Sequence, residues 1–147
     1  MSVLNQIIAN KILVIPIAAW VVAQALKTII QALREKRFNP RYLLSPGGMP
    51  SAHSSLVCAL ATTVGIVYGL DSSIFAFGVI LAAIVMYDAA GVRQTVDKQS
   101  VILNHLLVNF PKTQLEFEQF LQQLVGHTRL QVILGAILGI LLAYWWA

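Results

Sequence analysis

Four stretches of this chain, 12–26, 54–70, 74–87 and 130–147, contain no charged side chain. A helix needs about 20 residues to cross the hydrocarbon of a bilayer, and the flanks of each run bring it close to that length. Lys27 can lie inside the first span if its stem follows the apolar surface and its ammonium reaches the interface. The expected spans are then 12–33, 52–70, 73–90 and 130–147, the last ending in Tyr144-Trp145-Trp146, an aromatic cluster suited to a membrane boundary. Buried helices of a soluble bundle would look similar, but such a bundle must present a charged surface. Only 11% of the residues are charged and mean hydropathy is +0.75, against about a quarter charged in a typical soluble domain. Lipid is therefore the expected solvent. The reading is all-α: a small polytopic membrane helix bundle, about four transmembrane helices in a single membrane domain over residues 1–147.

Between the third and fourth spans lies a polar stretch, 93–127, in which Leu103, Leu106, Leu107, Phe117, Phe120, Leu121 and Leu124 recur at helical spacing. That predicts one or two amphipathic helices lying on the membrane, broken near Pro111. Ala23-Gln24-Ala25 resembles a signal-peptide cleavage site. The segment leading to it has no early positive charge and the apolar pattern continues past Lys27, so a retained span is expected. Cys58 is the single cysteine, which excludes an intrachain disulfide.

The charges are strongly one-sided. Because spans alternate in direction, segments 27–50 and 91–129 share a membrane face. They carry Lys27, Arg34, Lys36, Arg37, Arg41, Arg93, Lys98, Lys112 and Arg129, nine of the ten basic side chains. The positive-inside rule puts this loaded face in the cytoplasm and both termini opposite. The basic residues stand beside apolar spans rather than among exposed aromatics. That points to the lipid bilayer and a phosphorylated lipid as partners, and away from nucleic acid.

Four clusters meet at that face. At the mouth of the second span stands Pro46-Gly47-Gly48-Met49-Pro50-Ser51-Ala52-His53-Ser54-Ser55. Its glycines would let backbone approach an anion, Ser51 and the first helical amides offer donors, and His53 can exchange protons near neutral pH. A Pro/Gly turn followed by a serine-capped helix accounts for the same residues. Lys27 and Arg34 are seven apart, about two helical turns, and would share a face. A charge near the end of an apolar span is often functional, although basic caps that snorkel look alike. Asp88 and Arg93, in Asp88-Ala89-Ala90-Gly91-Val92-Arg93, form either a structural ion pair or an arginine fork for phosphate with Asp88 orienting a lysine or histidine. His127, at the boundary of the fourth span, has Gln131 one turn on, within reach of a hydrogen bond. Gly135 and Gly139 make a G-x-x-x-G pattern, which suggests helix packing and a possible homo-oligomer through that face.

These residues resemble a known family. Pro50-Ser51-Ala52-His53 looks like the P-S-G-H motif of the type 2 phosphatidic acid phosphatases, which share a fold with vanadium-dependent haloperoxidases. Lys27-x6-Arg34 matches the spacing of that family's K-x6-R-P, with Glu35 where proline would stand. His127-x3-Gln131-Val132-x2-Gly135 is similar to its H-x3-D-V-x2-G. In order and over nearly the whole chain, the set is most similar to a small divergent membrane branch of that superfamily.

The resemblance implies a membrane-embedded phosphatase, a phosphoric monoester hydrolase acting on a lipid phosphate or an isoprenyl (pyro)phosphate. His127 would attack phosphorus and form a phosphohistidine, while His53 would protonate the leaving oxygen. Lys27, Arg34, Ser51 and Arg93 would hold the phosphoryl oxygens, with Asp88 and Gln131 as orienting residues. The implied chemistry needs no cofactor and no metal. Leu121 stands at the family's motif arginine, and Gln131 replaces the acid that would stabilise an imidazolium. Those departures favour one alternative, a non-catalytic lipid- or phosphate-binding membrane protein; a small transporter component, with the polar residues lining a path, is another.

Overall fold

Each helix begins where a short polar side chain can take up the first unpaired amides. The computed structural model describes residues 2–36, 48–91, Gln99 and 128–147. Ser2 caps α1, Val3–Ala9, and Asn10 ends that helix and caps the next, its Oδ1 accepting from the amides of Ile12 and Leu13. α2 then runs Lys11–Glu35, about 37 Å at 1.5 Å per residue. Ser51 caps α3, Ala52–Tyr68; Ser72 caps α4, Ser73–Ala90; and Thr128 caps α5, Arg129–Trp146. No strand occurs among the described residues, so the all-α expectation holds.

Three of these helices, α2, α4 and α5, are long and apolar enough to cross a membrane. α3 has 17 residues, about 25 Å, and is the shortest of the four apolar helices. Its place in the bundle explains why that suffices. α3 is the central helix: α2, α4 and α5 all pack on it, α2 also meets α5, and α4 reaches the edge of α5 without touching α2. Its inward positions are small, with Ala52, Ser54, Ser55, Cys58, Ala59, Ala61, Thr63 and Gly65 among those buried. Small side chains let neighbouring backbones close in, which supplies packing where lipid gives no hydrophobic drive. The outer helices turn Ile17, Val21, Ile29, Phe77, Ile80, Ile84, Ile133 and Leu141 outward, as a lipid solvent requires.

At two places the structure adds to the sequence reading. The helix α1 is additional, with Val3, Leu4, Ile7 and Ile8 exposed along it. The G-x-x-x-G face is occupied within the chain: a Cβ at Gly135 would strike the Ser51 carbonyl and one at Gly139 the Ser55 carbonyl. Gly135 and Gly139 thus serve helix packing, as the pattern suggests, with α3 as the partner. The predicted interfacial segment, 93–127, lies outside the described residues apart from Gln99.

Candidate functional site

Helix register decides which residues meet. α2 runs antiparallel to α3, with the Ser55 hydroxyl donating to the Ala19 carbonyl at 3.2 Å and Lys27 lying against Gly48. α5 runs parallel to α3, placing Gly135 at Ser51 and Gly139 at Ser55. α4 runs back along α3, with Gly78 against Ala61 and Met86 Sδ 3.7 Å from Cys58 Sγ. Followed to their ends, these pairings gather Lys27, Ser51, Asp88 and Gln131 at one end of the bundle. At the other end Lys11 Nζ donates to the Ala147 carbonyl at 2.7 Å.

Lys27 is only 5% exposed. Its stem crosses Gly48, where an added Cβ would stand 2.6 Å from Cδ and 2.7 Å from Cγ. Gly48 also has φ +86°, in the region that favours glycine, so conformation and space both require it. The chain then passes through Met49 and Pro50 into Ser51, which is fully enclosed. The Ser51 amide donates to the Gln131 carbonyl at 3.0 Å, tying the start of α3 to the start of α5. Ser51 Oγ accepts from the Ser54 amide at 3.4 Å and from the Ser54 hydroxyl at 3.1 Å. Both its lone pairs are taken, and what Ser51 can offer a ligand is its hydroxyl proton.

Other expected site residues lie around this core. His53 is exposed and heads the face of α3 that the described helices leave most open, followed along it by partly buried Leu56 and Leu60 and exposed Val67. Arg34 shares the face of Lys27 about 10 Å further along α2 and is exposed. Asp88 is exposed near the end of α4, which α3 separates from α2. Gln131 is partly buried and completes a capping box: its Oε1 accepts from the Thr128 amide at 3.0 Å, and Thr128 Oγ1 accepts from the Gln131 amide at 3.4 Å. His127 and Arg93 lie outside the described residues, as does Leu121. Among the described residues no three His, Cys, Asp or Glu side chains come together as a metal site would need.

Residues 8–142, nearly the whole chain, match the profile of a single family, described as the Divergent PAP2 family. The chain belongs to it. This Divergent PAP2 protein is also 36% identical, over 148 aligned positions, to the uncharacterized membrane protein YuiD of Bacillus subtilis (strain 168). That alignment covers 93% of this chain and 94% of YuiD. No solved structure matches the chain. Family membership agrees with the resemblance carried by the Lys27, Ser51–His53 and His127 motifs, and the apolar helices together with the YuiD match identify an integral membrane protein.

Sequence motifs led to Lys27, Ser51 and Gln131, which the Divergent PAP2 fold brings to one end. They passed over Gln24. In the run 12–26 it is the one side chain that both donates and accepts hydrogen bonds through an amide, three residues before Lys27. That isolation was the available signal.

Proposed function

We propose that this chain is a membrane-embedded phosphatase, hydrolysing a lipid phosphate or an isoprenyl (pyro)phosphate through a phosphohistidine. The observation that carries the proposal is the buried Lys27, lying across Gly48 at the end of a membrane helix and level with the enclosed Ser51 hydroxyl. A phosphoryl group entering beside that ammonium would be held by its charge. Ser51, with both lone pairs engaged, presents a proton to the same anion.

In this reading Lys27, Ser51, Arg34 and Arg93 bind the phosphoryl oxygens and stabilise the charge that grows on them. The His127 imidazole attacks phosphorus, an N–P bond forms and the ester P–O bond breaks. His53 passes its proton to the departing alkoxide, then takes one from the water that hydrolyses the phosphohistidine. The open face of α3 below His53 suits an apolar chain arriving sideways from lipid. The positive-inside rule places the site at the cytoplasmic boundary.

Purified full-length protein, assayed in detergent against phosphatidic acid, phosphatidylglycerol phosphate and isoprenyl pyrophosphate, tests the proposal. His127→Ala should abolish phosphate release, and His53→Ala should slow it roughly 100- to 10,000-fold. Turnover that survives His127→Ala removes the proposed nucleophile. One observation favours a second reading, phosphate binding without turnover: Gln131, at the position of the family's acid, has its Oε1 on the Thr128 amide. That reading predicts phosphate or vanadate binding that requires Lys27, with no phosphate released from any lipid.

A further inference from the structure

Gln24 Oε1 is fully enclosed and finds no hydrogen-bond partner among the described residues. An amide oxygen buried without a donor is destabilising, and water cannot reach it cheaply in the interior of a membrane bundle. Its neighbours do not relieve it. The Thr28 hydroxyl, one turn away, donates to the Gln24 backbone carbonyl at 2.9 Å, and the Ser55 hydroxyl donates to Ala19.

The position of Gln24 is informative. With Ala19 opposite Ser55 and Lys27 opposite Gly48, the register puts Gln24 level with Ser51. On α2, Ile15 and Ala19 turn toward the seam formed by Ala59 of α3 and Ala143 of α5, while Lys27 turns to Gly48. Gln24 lies about 60° further round, at 100° per residue, on the side away from α5. That is the side on which α3 carries His53 and its open face. The set at this level is thus a buried ammonium, a serine with a proton to give, and a buried oxygen that needs one.

We propose that Gln24 is a ligand-binding residue of this site, its amide oxygen accepting a hydrogen bond from the P–OH of a protonated phosphoryl group. The proposal rests on the phosphate-site reading above and adds a selectivity to it. Lys27 and Ser51 supply attraction for any tetrahedral oxyanion. Gln24 welcomes one that still carries a proton and repels one whose oxygens are all acceptors. A phosphate monoester, with a second pKa of about 6, and inorganic phosphate can both present a P–OH. Sulfate near neutral pH cannot.

The test compares inorganic phosphate with sulfate on the purified full-length protein, by competition or calorimetry, for wild type, Gln24→Leu and Lys27→Met. Wild type should prefer phosphate. Gln24→Leu should lose roughly 10- to 100-fold in phosphate affinity, the worth of one hydrogen bond to a charged partner, and hold sulfate unchanged. Lys27→Met should weaken both anions. Repeating the phosphate arm with phosphatidic acid in mixed micelles separates the sources: loss for both assigns the oxygen to the phosphoryl group itself, and loss for inorganic phosphate alone assigns it to the free ion. Either supports the proposal. If Lys27→Met weakens both anions while Gln24→Leu keeps the full preference for phosphate, the proposal is overturned and the phosphate site stands. If wild type binds neither anion, both fall together. Thermal denaturation supplies a readout free of ligand. Gln24→Leu should melt no lower than wild type, because it removes a buried oxygen without a donor; a fall of several degrees would show that the oxygen has a partner in the fold and would also overturn the proposal.

Discussion

A Cβ on residue 48 would have to occupy the space now held by the Lys27 stem, at a backbone φ that side chains rarely adopt. Gly48→Ala should therefore weaken phosphate binding about tenfold by displacing the ammonium, alongside a stability loss of about 1–3 kcal/mol from the strained conformation. Gly69→Ala separates the two effects. Gly69 has a similar φ, +89°, but sits where α3 turns into α4, at the far end of the bundle, beside Asp71. It should lower the melting temperature comparably and leave phosphate affinity as it was. Equal binding losses in both variants would detach Lys27 from the site. At this scale the sequence was most informative where motif residues are near neighbours. Ser51 and His53 share one turn, and Lys27 with Arg34 declares a helix face by spacing alone. Gln24 could not be read that way, because its significance depends on which donors are absent around it, and no spacing encodes that.

The helices add a second lesson, about α3 and α5. The glycines of G-x-x-x-G announce that another backbone comes close, but they do not name it, and the partner proves to be Ser51–Ser55 of the same chain. Gly139→Leu should force α5 away from α3 and lower stability by about 3 kcal/mol or more, read by thermal denaturation in detergent from Trp20, Trp145 and Trp146 fluorescence. Ile137→Leu, on the exposed side of the same helix, should be neutral. An unchanged melting temperature in Gly139→Leu would contradict the packing described. The stakes are functional as well, since the same contact holds the Ser51 amide on the Gln131 carbonyl. α1 escaped the sequence reading for a plain reason: seven residues span too few turns to show a period, and only its caps, Ser2 and Asn10, mark its limits. The four apolar runs were legible because an uncharged stretch approaching the width of a bilayer has few other uses. That α3, the shortest of the helices they form, is the centre was not, since burial by neighbours rather than length decides it.

Taken whole, the chain carries nine of its ten basic side chains in segments joined to one end of the bundle, and the fold has to keep it so. Ser2, Asp71 and Ala147 belong to the end where Lys11 meets the C-terminal residue, while Lys36 and Thr128 belong to the end that holds Lys27 and Ser51. The basic segments are those joined to that second end. Moving several cations across hydrocarbon is far costlier than moving the other end, so insertion should go one way. Single cysteines at positions 2, 71 and 147, in a Cys58→Ala background, should react with an impermeant maleimide from outside the cell, and cysteines at 36 and 128 only after permeabilisation. The replaced Cys58 is buried against Met86, so its loss leaves no reactive thiol to confuse the labelling. Position 2 reacting on the same side as position 36 would break the antiparallel register of α2 and α3, and the convergence of Lys27, Gly48 and Ser51 with it. Uniform inversion, with 36 and 128 outside, would keep the pocket and move it to the outer leaflet, changing which phosphorylated lipids can reach it.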